Sequence, residues 1–212
     1  MEENRSYAVG HLALGYTAGR ISAKLLKTKV NIPLLLTLSV IPDIDILFSR
    51  FLEHRGPTHS IITALIIFAP IIAVYRKQAL PYCIAVIQHS LIGDYVTGGR
   101  IQLLWPVTTQ YYGTSISIMS STNIALEWTM FLISIAVMTK TRDIAKFLAP
   151  HNSNLILAIP LFTVLLPAVL SFPLEVPVSL ILPHLAYLLL FSLAIILDLS
   201  KLLNSTQVKK RL

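Results

Sequence analysis

PDIDILFSRFLEHRGPTHS, residues 42 to 60, gathers two aspartates and two histidines between stretches that are otherwise almost wholly apolar. Asp43 and Asp45 straddle one residue after Pro42, while His54 and His59 flank Arg55, Gly56, Pro57 and Thr58. Carboxylates and imidazoles are donors that divalent metals take, and such groups are costly near lipid unless they serve a site. The competing reading is an interfacial loop whose acids pair with Arg50 and Arg55 and whose Thr58 or Ser60 caps the next helix.

The flanks decide the fold. The chain has 212 residues, 55% hydrophobic and 13% charged, with a mean hydropathy of +0.72, far more apolar than a soluble domain of this length requires. The class expected is all-α, a polytopic helical membrane protein with about five to seven transmembrane or membrane-embedded helices. Residues 60–75, 79–97, 124–139, 154–171 and 176–199 approach bilayer-crossing length. Residues 7–26 and 30–48 are weaker, because Arg20 and Lys24 interrupt the first and Asp43 and Asp45 truncate the second. One integral membrane domain over 1–212 is expected: a motif-bearing part over 1–107, a surface loop over 108–123 and further transmembrane helices over 124–200, kinked at Pro160, Pro167 and Pro183. Gly98 and Gly99 are expected to end the fourth helix.

MEENRSYAV lacks the basic region and apolar core of a removable signal peptide. The lone Cys83 makes no intramolecular bridge. A net charge of +7 is scattered over segment ends without any DNA-binding motif, so nucleic acid is not an expected partner. Membrane orientation explains that charge. With the C-terminus in the cytoplasm, thirteen of the seventeen Lys and Arg lie inside, and Arg5, Arg50, Arg55 and Arg100 lie outside with the N-terminal Glu2 and Glu3.

In that arrangement four chain segments carry His11, Asp43 with Asp45, His54 with His59, and His89 with Asp94 to one depth near the extracytoplasmic face, which argues for a single site. Two spacings demand irregular backbone. On an α-helix Asp43 and Asp45 would diverge by about 200°, and His89 and Asp94 by about 140°. The Gly56-Pro57 turn can fold His54 and His59 towards one point, and Arg55 suits a phosphate oxygen. Glu127 is read as a residue near the site or a partner of Arg100, His184 as structural, Asp198 and Lys201 as an ion pair, and His151 as a loop residue.

The order GHLALG, IPDID, HRGPTHS, HSLIGDYVTGG and LLWP over residues 8–107 resembles the membrane-bound metal-dependent hydrolase family, the YdjM-like inner-membrane proteins. HRGPTHS is the most specific element. The resemblance implicates His11, Asp43, Asp45, His54, His59, His89 and Asp94 as metal ligands or near neighbours. One departure stands out: the family pattern has His and Asp four apart in the fourth motif, and here they are five apart. Broad similarity in ligand types to zinc-dependent phospholipase C implies phosphoester hydrolysis.

The function expected is metal-dependent hydrolysis of a phosphoester or related bond in an anionic or lipid-like substrate, with membrane lipid as partner. Mixed His and Asp donors without Cys favour zinc, or manganese. Asp43 or Asp45 would bridge or act as base, and Arg55 would hold the anion. The rivals are a transporter or other ion-binding membrane protein and a scaffold with a structural metal.

Overall fold

A computed structural model describes residues 7–48, 50–97, 99–114, 116–170 and 176–209, the side chains of Asn152 and 205–209 aside. Glu2, Glu3, Arg5 and Gly98, named above, lie outside the described residues, as do Lys210 and Arg211 of the thirteen basic residues assigned to the cytoplasmic side. The described chain is helical, with two isolated strand-like pairings, Thr97 with Ile116 and Ile101 with Tyr112.

Helix starts follow local capping chemistry. α1 (Ala8–Leu25) is followed by α2 (Ile32–Ser39), whose N-cap Asn31 accepts from Leu34 N–H and whose Pro33 occupies the first turn. Ser60 caps α3 (Ile61–Tyr75), accepting from Ile62 and Thr63 N–H. α4 (Leu80–Gln88) runs into a π-helical turn, His89–Asp94. Ser120 caps α5 (Ser121–Lys140). After α6 (Asp143–Phe147) come α7 (Ala158–Pro160), a π turn Leu161–Leu165, α8 (Leu166–Leu170) and the long α9 (Ile181–Lys209).

Among the described residues four stretches are long and apolar enough to cross a membrane: Ile61–Gln78, Ser121–Lys140, Ser153–Leu170 and Val178–Asn204. The two weaker candidates take other forms. α1 is the central helix, packed against α2, α4 and α5, with Val9, Leu12, Ala13 and Tyr16 wholly buried. The 30–48 stretch is not one span: α2 stops at Ser39 and the chain tightens into a 3-10 turn, Ile41–Phe48. Residues 79–97 likewise change from α to π winding at His89.

The bundle has two chemically distinct ends. At one, Asp143 binds Tyr16 OH at 2.8 Å, Arg20 Nε at 2.7 Å and Lys146 Nζ at 3.1 Å. There the carboxylate of Asp198 accepts from the backbone N–H of His151 and of Asn154. That corrects the ion pair expected with Lys201: Asp198 is buried and turned inward, and Lys201 is exposed. The starts of α1, α3, α5 and α9 and the ends of α2 and α4 meet at the opposite end.

α1 approaches α2 closely enough that a Cβ on Gly15 would stand 2.1 Å from Ser39 Cβ. Gly15→Val should therefore lower folding stability in detergent by about 1–3 kcal/mol. Ile21→Ala, at a position 53% exposed, should leave the thermal midpoint nearly unchanged.

Candidate metal centre

The two awkward spacings are resolved by two non-α windings. Five α-helical residues turn through about 500°, leaving the first and last side chains about 140° apart. A π turn closes its hydrogen bond over five residues, so His89 and Asp94 return to one face with His89 Nε2 3.3 Å from Asp94 Oδ2. Gly93 inside that turn makes room for a neighbour, since a Cβ there would lie 2.2 Å from His11 Cε1.

In the 3-10 turn, Asp43 and Asp45 do diverge, and they use the divergence to hold opposite edges of one imidazole. Asp43 Oδ1 faces His59 Nε2 at 3.3 Å, and Asp45 Oδ2 faces His59 Nδ1 at 3.3 Å. Both oxygens of Asp45 are occupied, Oδ1 by His54 Nδ1 at 2.9 Å and Oδ2 by the Thr58 hydroxyl at 2.7 Å and Arg55 N–H at 3.3 Å. Burial pushes the Asp45 carboxyl up, but the hydrogen bonds from His54 and His59 outweigh it and hold Asp45 below the usual carboxylate range. Asp45 therefore orients His59, leaving Nε2 to face inward, as a carboxylate behind a ligating histidine does. His89 is set in the same way: Nδ1 donates to the Ser39 carbonyl at 2.9 Å.

Four atoms then form a closed ring, imidazole and carboxylate alternating. Nε2 of His59 and of His89 each lie 3.3–3.4 Å from Asp43 Oδ1 and Asp94 Oδ2. Tetrahedral ligands bonded at about 2.0–2.2 Å stand about 3.3–3.6 Å apart, so these distances match the edges of a metal's coordination shell. Among the described residues His89 Nε2 and both Asp94 oxygens are buried and have neighbours at 3.3–3.9 Å but no well-aligned hydrogen bond, which leaves them available to an ion. Asp43, Asp45 and Asp94 are all buried, and so is Arg55. Arg55 Nη2, 3.9 Å from Asp94 Oδ1, offsets one of the three negative charges, which leaves the site suited to a divalent cation.

The structure thus brings all seven sequence candidates together, in three overlapping groups whose donor atoms lie within 4.8 Å of one another. Asp43, His59, His89 and Asp94 form the inner set. His11 Nε2 adjoins it, 3.5 Å from Asp94 Oδ1 and with its ring stacked on His89 at 4.0 Å. Asp45 and His54 stand behind His59. Arg55 has φ +65°, an unusual conformation for a non-glycine residue, and its carbonyl accepts from Gln102 N–H. The 99–107 segment straps the motif down, with Leu103 and Trp105 carbonyls receiving the Ile61 N–H and Ser60 hydroxyl.

Several contributors have roles that the sequence did not show. Glu127 pairs not with Arg100 but with Gly10 N–H at 2.6 Å, capping an orphan donor at the start of α1 one residue before His11. The Ser39 carbonyl is invisible to any residue-type search, and Thr58 is recognisable only as part of HRGPTHS.

The family model described as YdjM inner membrane protein matches residues 7–176. The chain belongs to that family. No curated protein and no solved structure matches it. The YdjM match includes every residue of the candidate centre and ends before α9.

If the π turn is what places His89 and Asp94 on one face, deleting Leu91, which is 45% exposed, should convert it to α winding and preserve the alignment. Deletion of Ile84 within α4 should rotate the face by about 100°. Metal content of purified protein should survive the first deletion and be lost in the second.

Proposed function

We propose that the protein is a metal-dependent hydrolase acting on a phosphoester or related bond of a lipid-like substrate at the membrane surface. The observation that carries this is the ring of four buried donor atoms, neighbouring ones 3.3–3.4 Å apart, with the buried Arg55 guanidinium beside it. The donor set, two imidazoles and two carboxylates, suits zinc, with manganese second. When bound, such an ion supplies a Lewis acid and lowers the pKa of water. The chain's own residues would do the rest. Arg55 Nη2, buried and without a hydrogen-bond partner, would bind the substrate's anionic oxygen. Asp43, which lines the adjoining cavity, would take a proton from the attacking water. Asp45 would keep His59 in register.

One observation favours a second reading. Four protein donors on one ion can close the shell, as structural sites do, and a non-catalytic ion-binding protein would then result. The two differ in what His59→Ala and Arg55→Lys do. His59→Ala should abolish metal retention and any hydrolysis, because it removes one donor and uncouples the buried aspartates. Arg55→Lys should keep normal metal stoichiometry by elemental analysis yet bind an anionic lipid about tenfold more weakly, since Lys lacks the planar two-point grip. Equal metal loss in both variants would leave Arg55 with a purely structural role.

We also propose that the site faces the extracytoplasmic side and the C-terminus the cytoplasm. Supporting this, Arg20, Lys24, Arg76, Lys77, Lys140 and Lys146 lie on or beside the ends of α1, α3, α5 and α6 away from the metal centre. In a Cys83→Ala background, an impermeant thiol reagent on intact cells should label Thr109→Cys and spare Ala145→Cys. The reverse pattern would invert the orientation.

A further inference from the structure

A cavity beside the metal centre is walled on one side by Asp43, Ile46 and His54 and on the other by Val164, Pro167 and His184. Its far wall comes from the C-terminal helices, which carry few ionisable groups. His184 is the exception. It is 1% exposed, and its Nδ1 faces the Leu180 carbonyl at 2.9 Å. A carbonyl can only accept, so Nδ1 carries the proton and the neutral ring presents a bare lone pair at Nε2.

That Nε2 is buried and has no hydrogen-bond partner among the described residues. The two neighbouring hydroxyls are engaged elsewhere: Tyr7, whose ring meets His184 edge-on, donates to Met119 Sδ at 2.9 Å, and Thr163 donates to the Ile159 carbonyl at 2.9 Å. A buried acceptor without a donor is costly, and an apolar side chain would fill this wall without that cost. The cavity is small, about 50 Å³. At about 10–15 Å³ for each water-sized group, it holds a fragment of roughly four heavy atoms rather than an acyl chain.

We infer that this cavity is the headgroup subsite and that His184 Nε2 accepts a hydrogen bond from a small headgroup carrying O–H or N–H. The inference rests on the hydrolase reading for the lipid-like nature of the ligand, with the phosphoester at Arg55 and Asp43. It assigns His184, which sequence reasoning took as structural, to substrate selection. Among phospholipids, glycerol and ethanolamine headgroups carry such a donor and choline does not.

The test is a binding measurement that needs no turnover. The full chain in detergent with zinc would be titrated with dihexanoyl phosphatidylglycerol, phosphatidylethanolamine and phosphatidylcholine. The ethanolamine and choline lipids are both zwitterionic, so their comparison isolates the donor from Arg55's attraction for net charge. Wild type should bind the ethanolamine and glycerol lipids roughly three- to tenfold tighter than the choline lipid, the range expected for one neutral hydrogen bond. His184→Leu, which keeps volume and removes the acceptor, should erase that ratio, while His184→Gln, which retains a carbonyl acceptor, should keep it. Equal binding of ethanolamine and choline lipids by wild type overturns the inference whatever the variants do, as does a ratio unchanged in His184→Leu. Headgroup preference without hydrolysis would instead count against the catalytic reading and leave this subsite standing.

Discussion

Three carboxylates, Asp43, Asp45 and Asp94, sit together in the interior of an apolar bundle, each at most 4% exposed. Their mutual repulsion and loss of hydration cannot be tolerated without compensating positive charge. Much of the surrounding architecture supplies or aims that compensation. His59 is clasped between Asp43 and Asp45, His89 is held by the Ser39 carbonyl, and Arg55 is buried against Asp94. The same requirement explains backbone that is not α-helical at three of the four contributing segments. A 3-10 turn spreads two acids to either edge of a ring, and a π turn folds a five-residue spacing back onto one face.

Such windings leave backbone groups unsatisfied, which is tolerable at membrane depth only where protein covers them. Here α1 supplies cover, running through the centre of the bundle and delivering His11 beside Asp94. Its first turn is stabilised from a distance by Glu127 of α5, and close packing at Gly15 brings it against α2. The lipid-facing burden falls on the four long apolar stretches. Stability and chemistry are thus divided between peripheral helices that are ordinary in composition and a short, irregular, strongly polar interior.

Membership of the YdjM inner membrane protein family and a metal-competent cluster of buried His and Asp are firm properties of this chain. Hydrolysis is a proposal built on them, and it makes distinct demands on distinct residues: inner donors for the ion, Arg55 for an anion, Asp45 and Ser39 for orientation. The cavity between Asp43 and His184 joins the motif-bearing part to helices beyond it, and α9 lies outside the family match. Selection of the headgroup, as proposed, would then fall to the C-terminal helix.

The sequence by itself determined the class and the cast. Composition and apolar run lengths required a helical membrane protein, because no soluble core needs so much apolar surface. The clustering of rare ionisable groups in Pro42–Ser60, with His11, His89 and Asp94, marked the candidate site residues that the structure brings together. What it could not show was how they meet. A periodicity argument assumes one helical winding, so the five-residue spacing of His89 and Asp94 looked misaligned until the π turn was seen, and the 30–48 stretch looked like a weak span rather than a short helix ending in a 3-10 turn. Only tertiary structure decided which nitrogen of His59 each aspartate faces, that Glu127 caps α1 and that Asp198 turns away from Lys201. These depend on contacts up to 117 residues apart in the chain, and on backbone carbonyls and N–H groups that every residue carries alike.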